Sequence, residues 1–452
     1  MAAGQGKRMN SALPKVLQPL AGRPLVSHVL AAARALTPRA LCLVVGHGGE
    51  AVRLALAAPD LCFVTQDPPR GTGDAVRLAL ATLPDDGVTV VANGDCPLIP
   101  AATLAAIAAT AATGRLALLT ANVADASGLG RIVRDSTGAV RAIVEEKDAS
   151  SGELSCSEIY TGVLAAPTTL LRQWVAALRN DNAQREFYLT DVVAMAVAAG
   201  VPVDAHLADS EQDVQGVNDP AQLAAIERVV QMRQAQALLK SGVCLADPAR
   251  IDIRGSLVCG RDVRIDIGCV FEGDVRLDDN VSVAAYCVLK DVHAGAGTVI
   301  AAFSHLDEAI IGANCRIGPY ARLRPGAVLA EGVHIGNFVE VKATTIGEGS
   351  KANHLSYLGD ATVGRDVNIG AGTITCNYDG VNKHRTVIED GVFIGSDTQL
   401  VAPVTVGHGA TLGAGTTLTK DAPPDVLTLS RAPQTSIPGW KRPRKKPKGV
   451  NE

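Results

Sequence analysis

Ile311-Gly-Ala-Asn-Cys-Arg-Ile317-Gly-Pro-Tyr-Ala-Arg-Leu323-Arg-Pro-Gly-Ala-Val-Leu329-Ala-Glu-Gly-Val-His-Ile335-Gly-Asn-Phe-Val-Glu-Val341 places an aliphatic side chain at every sixth position. That period matches neither the about 3.6 residues of a helical turn nor the alternation of a lone amphipathic strand. It is the pattern of a parallel β-helix, in which each repeat supplies one short strand and one turn and stacks its apolar residue inward. Upstream the register holds at Ile251, Leu257, Val263, Cys269, Val275, Val281 and Cys287, and downstream it returns at Ile394, Leu400, Val406, Leu412 and Leu418. Between Ile369 and Val387 it breaks for Thr375-Cys-Asn-Tyr-Asp-Gly-Val-Asn-Lys-His-Arg385, a polar excursion too long for a turn. Loops that leave a rigid scaffold are more often functional than decorative.

Residues 1–217 have another rhythm. Apolar runs such as Ala40-Leu-Cys-Leu-Val-Val45 and Val88-Thr-Val-Val-Ala92 predict buried parallel strands, and residues 24–36, 74–83 and 101–113 predict helices between them. The alternation predicts a doubly wound α/β domain, whose ligands sit where strands end and helices begin. Asn93-Gly-Asp95 and Gln66…Gly71-Thr-Gly73 fall at such junctions. At the start, Met-Ala-Ala-Gly-Gln-Gly-Lys-Arg-Met9 and Pro14-Lys-Val-Leu17 combine tight glycine turns with the cations Arg8 and Lys15, the makings of a phosphate-binding loop. Such a loop normally follows a buried strand, so the first strand of this domain is expected to be missing. Asp219-Pro220 predicts the start of a helix running to Ser241, ahead of Gly242. The expected divisions are therefore residues 1–218, a linker helix 219–241, a β-helix 242–439 and a basic tail 440–452.

The 452 residues carry a formal charge of −4, which points neither to nucleic acid nor to a membrane surface, and no apolar run is long enough for a membrane span. Ten cysteines without a C-x-x-C pair argue against zinc and a disulfide framework, and for a reducing cytoplasm.

With both halves placed, the chain resembles the bacterial family of bifunctional N-acetylglucosamine-1-phosphate uridyltransferases and glucosamine-1-phosphate N-acetyltransferases. The opening loop, Gly71-Thr-Gly73, Gly94-Asp95 and Gly216-Val-Asn218 carry the resemblance in the first half. In the second half it rests on Ala321-Arg-Leu-Arg-Pro-Gly326, Gly336-Asn-Phe-Val-Glu340, Asn353-His-Leu-Ser-Tyr-Leu-Gly-Asp360 and Asn368-Ile-Gly-Ala-Gly-Thr-Ile-Thr-Cys-Asn-Tyr-Asp-Gly380. It implies a Rossmann-like nucleotidyltransferase domain, a left-handed β-helix of hexapeptide repeats, and a homotrimer with acetyltransferase sites between subunits. It also implies acetylation of glucosamine 1-phosphate by acetyl-CoA, then uridylyl transfer from UTP, making UDP-N-acetylglucosamine for peptidoglycan and lipopolysaccharide.

For uridylyl transfer the resemblance implies Arg8 and Lys15 as catalytic cations, Ala3 and Gly4 as backbone contacts, and Asp95 and Asn218 as Mg²⁺ ligands beside Gly94. Gln66, Gly71 and Thr72 match the uracil-reading loop, and Gly130 and Glu145 match sugar contacts. Tyr160 stands where the family has a sugar-contacting Asn, Asn93 replaces an aromatic, and Lys7 replaces a small hydroxyl residue. For acetyl transfer, His354 is the implied base, with Glu340 as a candidate orienting partner. Arg324, Lys342, Tyr357 and Asn368 are implied to hold the sugar phosphate, with Lys383 as a further candidate. Ala371, Asn377, Tyr378, Ser396, Ala414 and Arg431 are implied to meet acetyl-CoA, Ser396 polarising the thioester. Two narrower readings stay open: an acetyltransferase whose first half has become a scaffold, and a nucleotidyltransferase whose β-helix only assembles.

Overall fold

Residues 1–4 and 6–444 are described by the computed structural model, and they fall into two units. One comprises Met1–Lys240 with Pro248–Ser256; the other comprises Ser241–Asp247 and the chain from Leu257 onward. The part of the basic tail from 445 to 452 lies outside the described residues.

In the first unit the apolar runs become β1 (Leu41–Val45), β2 (Leu61–Thr65), β3 (Val88–Val91), β4 (Leu116–Asn122), β5 (Arg131–Arg134), β6 (Val140–Val144), β7 (Glu158–Pro167) and β8 (Val203–Leu207). Helices α1 (Leu25–Arg34), α2 (Thr72–Leu80) and α3 (Ala101–Ala111) occupy the three predicted helical stretches. Burial explains them: α1 turns Leu25, Val26, Val29 and Leu30 inward, and α3 turns Leu104, Ile107 and Ala111 inward. Each such aliphatic side chain removed from water contributes about 1.5–3 kcal/mol.

β1 and β2 pair in parallel, as expected. β3 does not follow that expectation, because it lies antiparallel to β7 in a second sheet of order β8-β4-β7-β5-β6. An apolar run specifies burial on both faces but not direction, and the ten-residue β7 runs antiparallel to both β3 and β4. Met1 and Ala2 lie between β1 and β3. The Ala2 N–H donates to Val44 O at 2.7 Å, the Met1 amine to Ala92 O at 2.6 Å, and the Gly94 N–H to Met1 O at 2.7 Å. Among the described residues this short stretch joins the two strand edges.

Helix α4 (Pro220–Lys240) begins where Asp219 accepts the Gln222 N–H at 2.8 Å. Its Ile226 and Val230 pack with Leu20, Leu25 and Val217, and Gln231 exchanges two hydrogen bonds with Ile253, at 2.7 and 2.8 Å. These contacts group the helix with the first unit.

The second unit is a parallel β-helix. In-register positions Ile335, Ala352 and Ile369 recur every 17 residues, whereas Ile369 to Ile394 takes 25, the polar excursion lengthening that coil. The six-residue register is buried throughout except at Leu257, which is half-buried. Leu257 belongs to the strand Ile251–Cys259 at the end of its sheet, where only one neighbouring coil covers it. Buried hydroxyls of the coils such as Thr298 and Ser350 donate to the carbonyls of Gly312 and Gly364 at 2.9 and 2.7 Å, whereas the buried Thr386 hydroxyl has no partner among the described residues.

Candidate active sites

In the first unit the glycine loop folds back so that Gly6, at φ 60°, sits against Lys15. Only a residue without a Cβ fits there, since an added Cβ would lie 2.7 Å from that of Lys15. Lys15 opens a short 3₁₀ turn after Pro14 and sends its ammonium to two groups: the Asp95 carboxylate, and Asn218 Oδ1 at 3.1 Å. Asp95 follows β3, and the Val217 N–H donates to its carbonyl at 2.9 Å, so the Asn218 segment is pinned alongside. Two residues 123 positions apart thus converge on one cation. A carboxylate and an amide oxygen are hard donors that suit Mg²⁺ completed by phosphate and water oxygens. No group of three or more His, Cys, Asp or Glu side chains placed to hold a metal ion occurs among the described residues.

Ala3 is half-buried against Gly46, and Gly4 is exposed with open space where a side chain would project. Gly94 permits the Met1 carbonyl to come close, a Cβ there lying 3.0 Å from it. Arg8 is exposed and makes no ion pair among the described residues.

Gln66 is buried, donating to Gly71 O at 2.9 Å and to Asp74 at 3.0 Å. The loop it braces is held by a segment that the sequence did not mark: the Gly73 N–H donates to Phe187 O at 2.8 Å, and the Leu189 N–H to the Thr72 hydroxyl at 3.0 Å. Gly130, Glu145 and Tyr160 come together across β5, β6 and β7, the Tyr160 N–H donating to Gly130 O at 2.9 Å. Burial pushes the Glu145 carboxyl above its ordinary value, partly offset by the Thr190 hydroxyl at 3.2 Å. Burial also raises the Tyr160 phenol, whose oxygen has no partner among the described residues.

In the second unit His354 ends the strand Lys351–His354, one coil above Asn337 in register. Asn337 Oδ1 lies 3.0 Å from His354 Nδ1. The expected partner Glu340 is engaged elsewhere, accepting from Arg324 at 2.8 Å. The reason is geometric: Asn337 shares the strand column of His354, whereas Glu340 lies in register with Arg322 and Tyr357 on another face.

That other face gathers the sugar-phosphate candidates. Lys342 lies 3.9 Å from Asp360, and Asn377 donates to Asp360 and, at 3.5 Å, to the Tyr357 phenol. Lys383 comes against Lys342, whose contact and like charge lower its pKa. Its loop is closed by a Tyr378–Lys383 bridge and by Asp379, which backbone N–H groups of Asn382 and Val381 hold well below the usual carboxylate range with help from His384 at 2.7 Å. Tyr378 itself is exposed, its hydroxyl donating to Gly380 O at 2.6 Å. Asn368 is half-buried in register with Lys351 and Phe393.

Of the acetyl-CoA candidates, Ala371, Ser396, Ala414 and Arg431 stack along one corner starting beside His354, whereas Asn377 and Tyr378 lie with the sugar-phosphate group. Gly372 N–H donates to Leu355 O at 3.1 Å, Asp397 N–H to Ala371 O at 2.7 Å, and Gly415 N–H to Ser396 O at 2.8 Å. Leu355, Ala371, Ser396 and Ala414 therefore occupy successive coils, and Arg431 caps the column by donating to Ala414 O at 3.0 Å. An exposed track leads away from the histidine, with the Ser396 side chain open to solvent.

Comparisons with known proteins match the two halves of the chain to different families. Residues 1–190 match the MobA-like NTP transferase domain family, 253–351 the GMPPB C-terminal domain, and 385–420 the bacterial transferase hexapeptide family as six repeats. The chain is 60% identical over 445 residues to the bifunctional protein GlmU of Azoarcus sp. strain BH72, covering 98% of both chains. It is 60% identical to that of Aromatoleum aromaticum, covering 99% of both, and 59% identical to that of Nitrosospira multiformis, covering 100% of this chain and 98% of the relative.

Proposed function

The chain belongs to the bifunctional GlmU family, and from that premise we propose that its two units perform successive steps. First, acetyl-CoA acetylates the amine of glucosamine 1-phosphate; then UTP delivers a uridylyl group to the N-acetylglucosamine 1-phosphate, releasing pyrophosphate. The product is UDP-N-acetylglucosamine, a cell-wall precursor. The observation that carries this reading is the pairing of two complete polar arrangements, Lys15 with Asp95 and Asn218 in one unit and His354 at the head of the Ala371–Ser396–Ala414 column in the other.

In acetyl transfer, Asn337 accepts from Nδ1–H, so Nε2 of His354 keeps its lone pair and takes the proton from the attacking amine. Arg324, Lys342 and Lys383 place three cations for the sugar phosphate, with Tyr357, Asn377 and Asn368 as neutral contacts. Ser396 donates to the thioester oxygen as charge develops there, and Arg431 meets the phosphate end of the coenzyme. In uridylyl transfer, Lys15 neutralises charge growing on the phosphate oxygens, and Asp95 and Asn218 are the residues that would hold Mg²⁺. When bound, that metal supplies Lewis-acid charge neutralisation. Gln66, Gly71 and Thr72 read uracil, while Gly130, Glu145 and Tyr160 line the sugar pocket.

We further propose a homotrimer assembled through the β-helix and working in the cytoplasm. Tyr286, Phe303, Tyr320 and Phe338 stack at 5.0–5.4 Å along one exposed edge that ends in Leu355, beside His354, an apolar stripe suited to a subunit contact. No helix among the described residues is long and apolar enough to cross a membrane.

Separate assays test the assignment. EDTA is expected to abolish pyrophosphate release from UTP while sparing acetyl transfer, and His354→Ala is expected to do the reverse. Loss of both activities under either treatment would overturn the division of labour.

A further inference from the structure

β1 and β2 pair in parallel, and their register sets Cys42 directly opposite Cys62. Residues opposite one another in such a pair put their side chains on the same face, with the strands about 4.7–4.9 Å apart. A disulfide joins residues whose Cα atoms are about 4.4–6.8 Å apart, so a bond between these two sulfurs requires no strand to move. Thr82, just past the end of α2, lies against both. Its Oγ1 is 3.7 Å from each sulfur and donates to Ala79 O at 2.8 Å.

Both thiols are free, and they differ in access. Cys62 is exposed, whereas Cys42 is half-buried; burial and the adjoining Cys62 thiol push the Cys42 thiol up to about 11. The Thr82 hydroxyl opposes that shift in part, since it can turn from Ala79 O and donate to a thiolate. A solvent-borne reagent therefore meets Cys62 first, with Cys42 next to it as the second sulfur.

Another pair of cysteines marks the contrast. Cys269 and Cys287 also lie one coil apart, but both are buried within the β-helix and direct their thiols to Ala284 O and Ala301 O, each at 3.2 Å. Thiols so enclosed are inert, because reactivity needs both a thiolate and a path from solvent.

We propose that Cys42 and Cys62 form a reversible thiol–disulfide site that reacts with low-molecular-weight disulfides. The Cys62 thiolate attacks one sulfur of the reagent and expels one thiol, leaving a mixed disulfide. The Cys42 thiolate then attacks Cys62 Sγ, which closes the bond between the strands and expels the second thiol. In sum the two cysteines lose two electrons and two protons, and the reagent takes up both as it becomes two thiols. β2 leads directly into Gln66, whose N–H donates to Val45 O at 2.8 Å. The crosslink thus fastens the two strands just ahead of the Gln66–Gly71 loop.

The test uses the full chain, reduced and then exposed to excess glutathione disulfide, with remaining thiols alkylated before digestion. Trypsin cleaves after Arg39, Arg53 and Arg70, which puts the two cysteines on separate peptides, 40–53 and 54–70. Mass spectrometry is expected to find these two peptides linked, and dithiothreitol is expected to release them. Cys42→Ser is expected to stop at a mixed disulfide on Cys62. In Cys62→Ser, glutathione is expected to add to Cys42 about tenfold or more slowly than it adds to Cys62 in Cys42→Ser. No linked pair after about ten hours, linkage of Cys62 to another cysteine instead, or a smaller difference between the two single variants would each overturn the proposal.

Discussion

Asn337 Oδ1 lies 3.0 Å from His354 Nδ1, across one coil of the β-helix. An amide oxygen accepts and cannot donate, so it holds the proton on Nδ1 and leaves Nε2 as the base. Asn337 is thus a positioning residue. Asn337→Ala is expected to lower kcat for acetyl transfer about tenfold with little change in KM, and Asn337→Asp to shift the acidic limb of the pH–rate profile upward, because a carboxylate favours the charged imidazole. His354→Ala removes the base itself and is expected to cost about 10²- to 10⁴-fold.

Lys15 contacts both Asp95 and Asn218, so the three act as one unit. Lys15→Ala and Asp95→Asn are each expected to lower uridylyl transfer by about 10²-fold or more while acetyl transfer stays within about twofold. In the Lys15→Ala, Asp95→Asn double variant the losses should be smaller than additive. Steady-state assays of both reactions on the same preparations check this.

Gly336 has no room for a side chain, because a Cβ would land on the carbonyl oxygen of Asn353 in the next coil. Gly336→Ala is expected to destabilise the β-helix by about 1–3 kcal/mol and to displace His354, which neighbours Asn353. Differential scanning calorimetry reads the first effect; loss of acetyl transfer with uridylyl transfer retained reads the second.

Burial raises the Glu145 carboxyl above its ordinary value. Between the unfolded and folded values the native state binds the extra proton, so stability falls as pH rises through that window. Glu145→Gln removes the penalty: it is expected to stabilise the ligand-free protein near pH 8, with the advantage shrinking as pH falls through the raised value toward the ordinary carboxylate value. Thermal melts of both proteins from pH 4 to pH 8 check the sign, since an advantage that grew toward acid would contradict it.

Several features were legible before folding because they are local. Asp219 caps its helix as an Asp before Pro should, and the six-residue register survives with Leu257 alone half-buried. His354 stood out because polar neighbours bracket it within an aliphatic repeat. Its partner did not, since Asn337 is 17 residues away and meets it only when the chain completes a coil. The support of Thr72 by Leu189 is hidden for the same reason, 117 residues separating the two.

Taken alone, the sequence determined the periods: six for the β-helix, alternating apolar runs and helices for the first unit, and the residue types able to carry phosphate and acyl chemistry. Periodicity is a property of neighbours in the chain, and burial of the repeated side chain is enough to enforce it. Tertiary structure decided direction and partnership. It set β3 antiparallel to β7 and gave Arg324 rather than His354 to Glu340. Strand direction depends on backbone hydrogen bonds between distant segments, whose donors and acceptors are nearly alike from residue to residue and so leave no mark in the order of side chains, and the Glu340 pairing depends on the strand column in which each coil places a side chain.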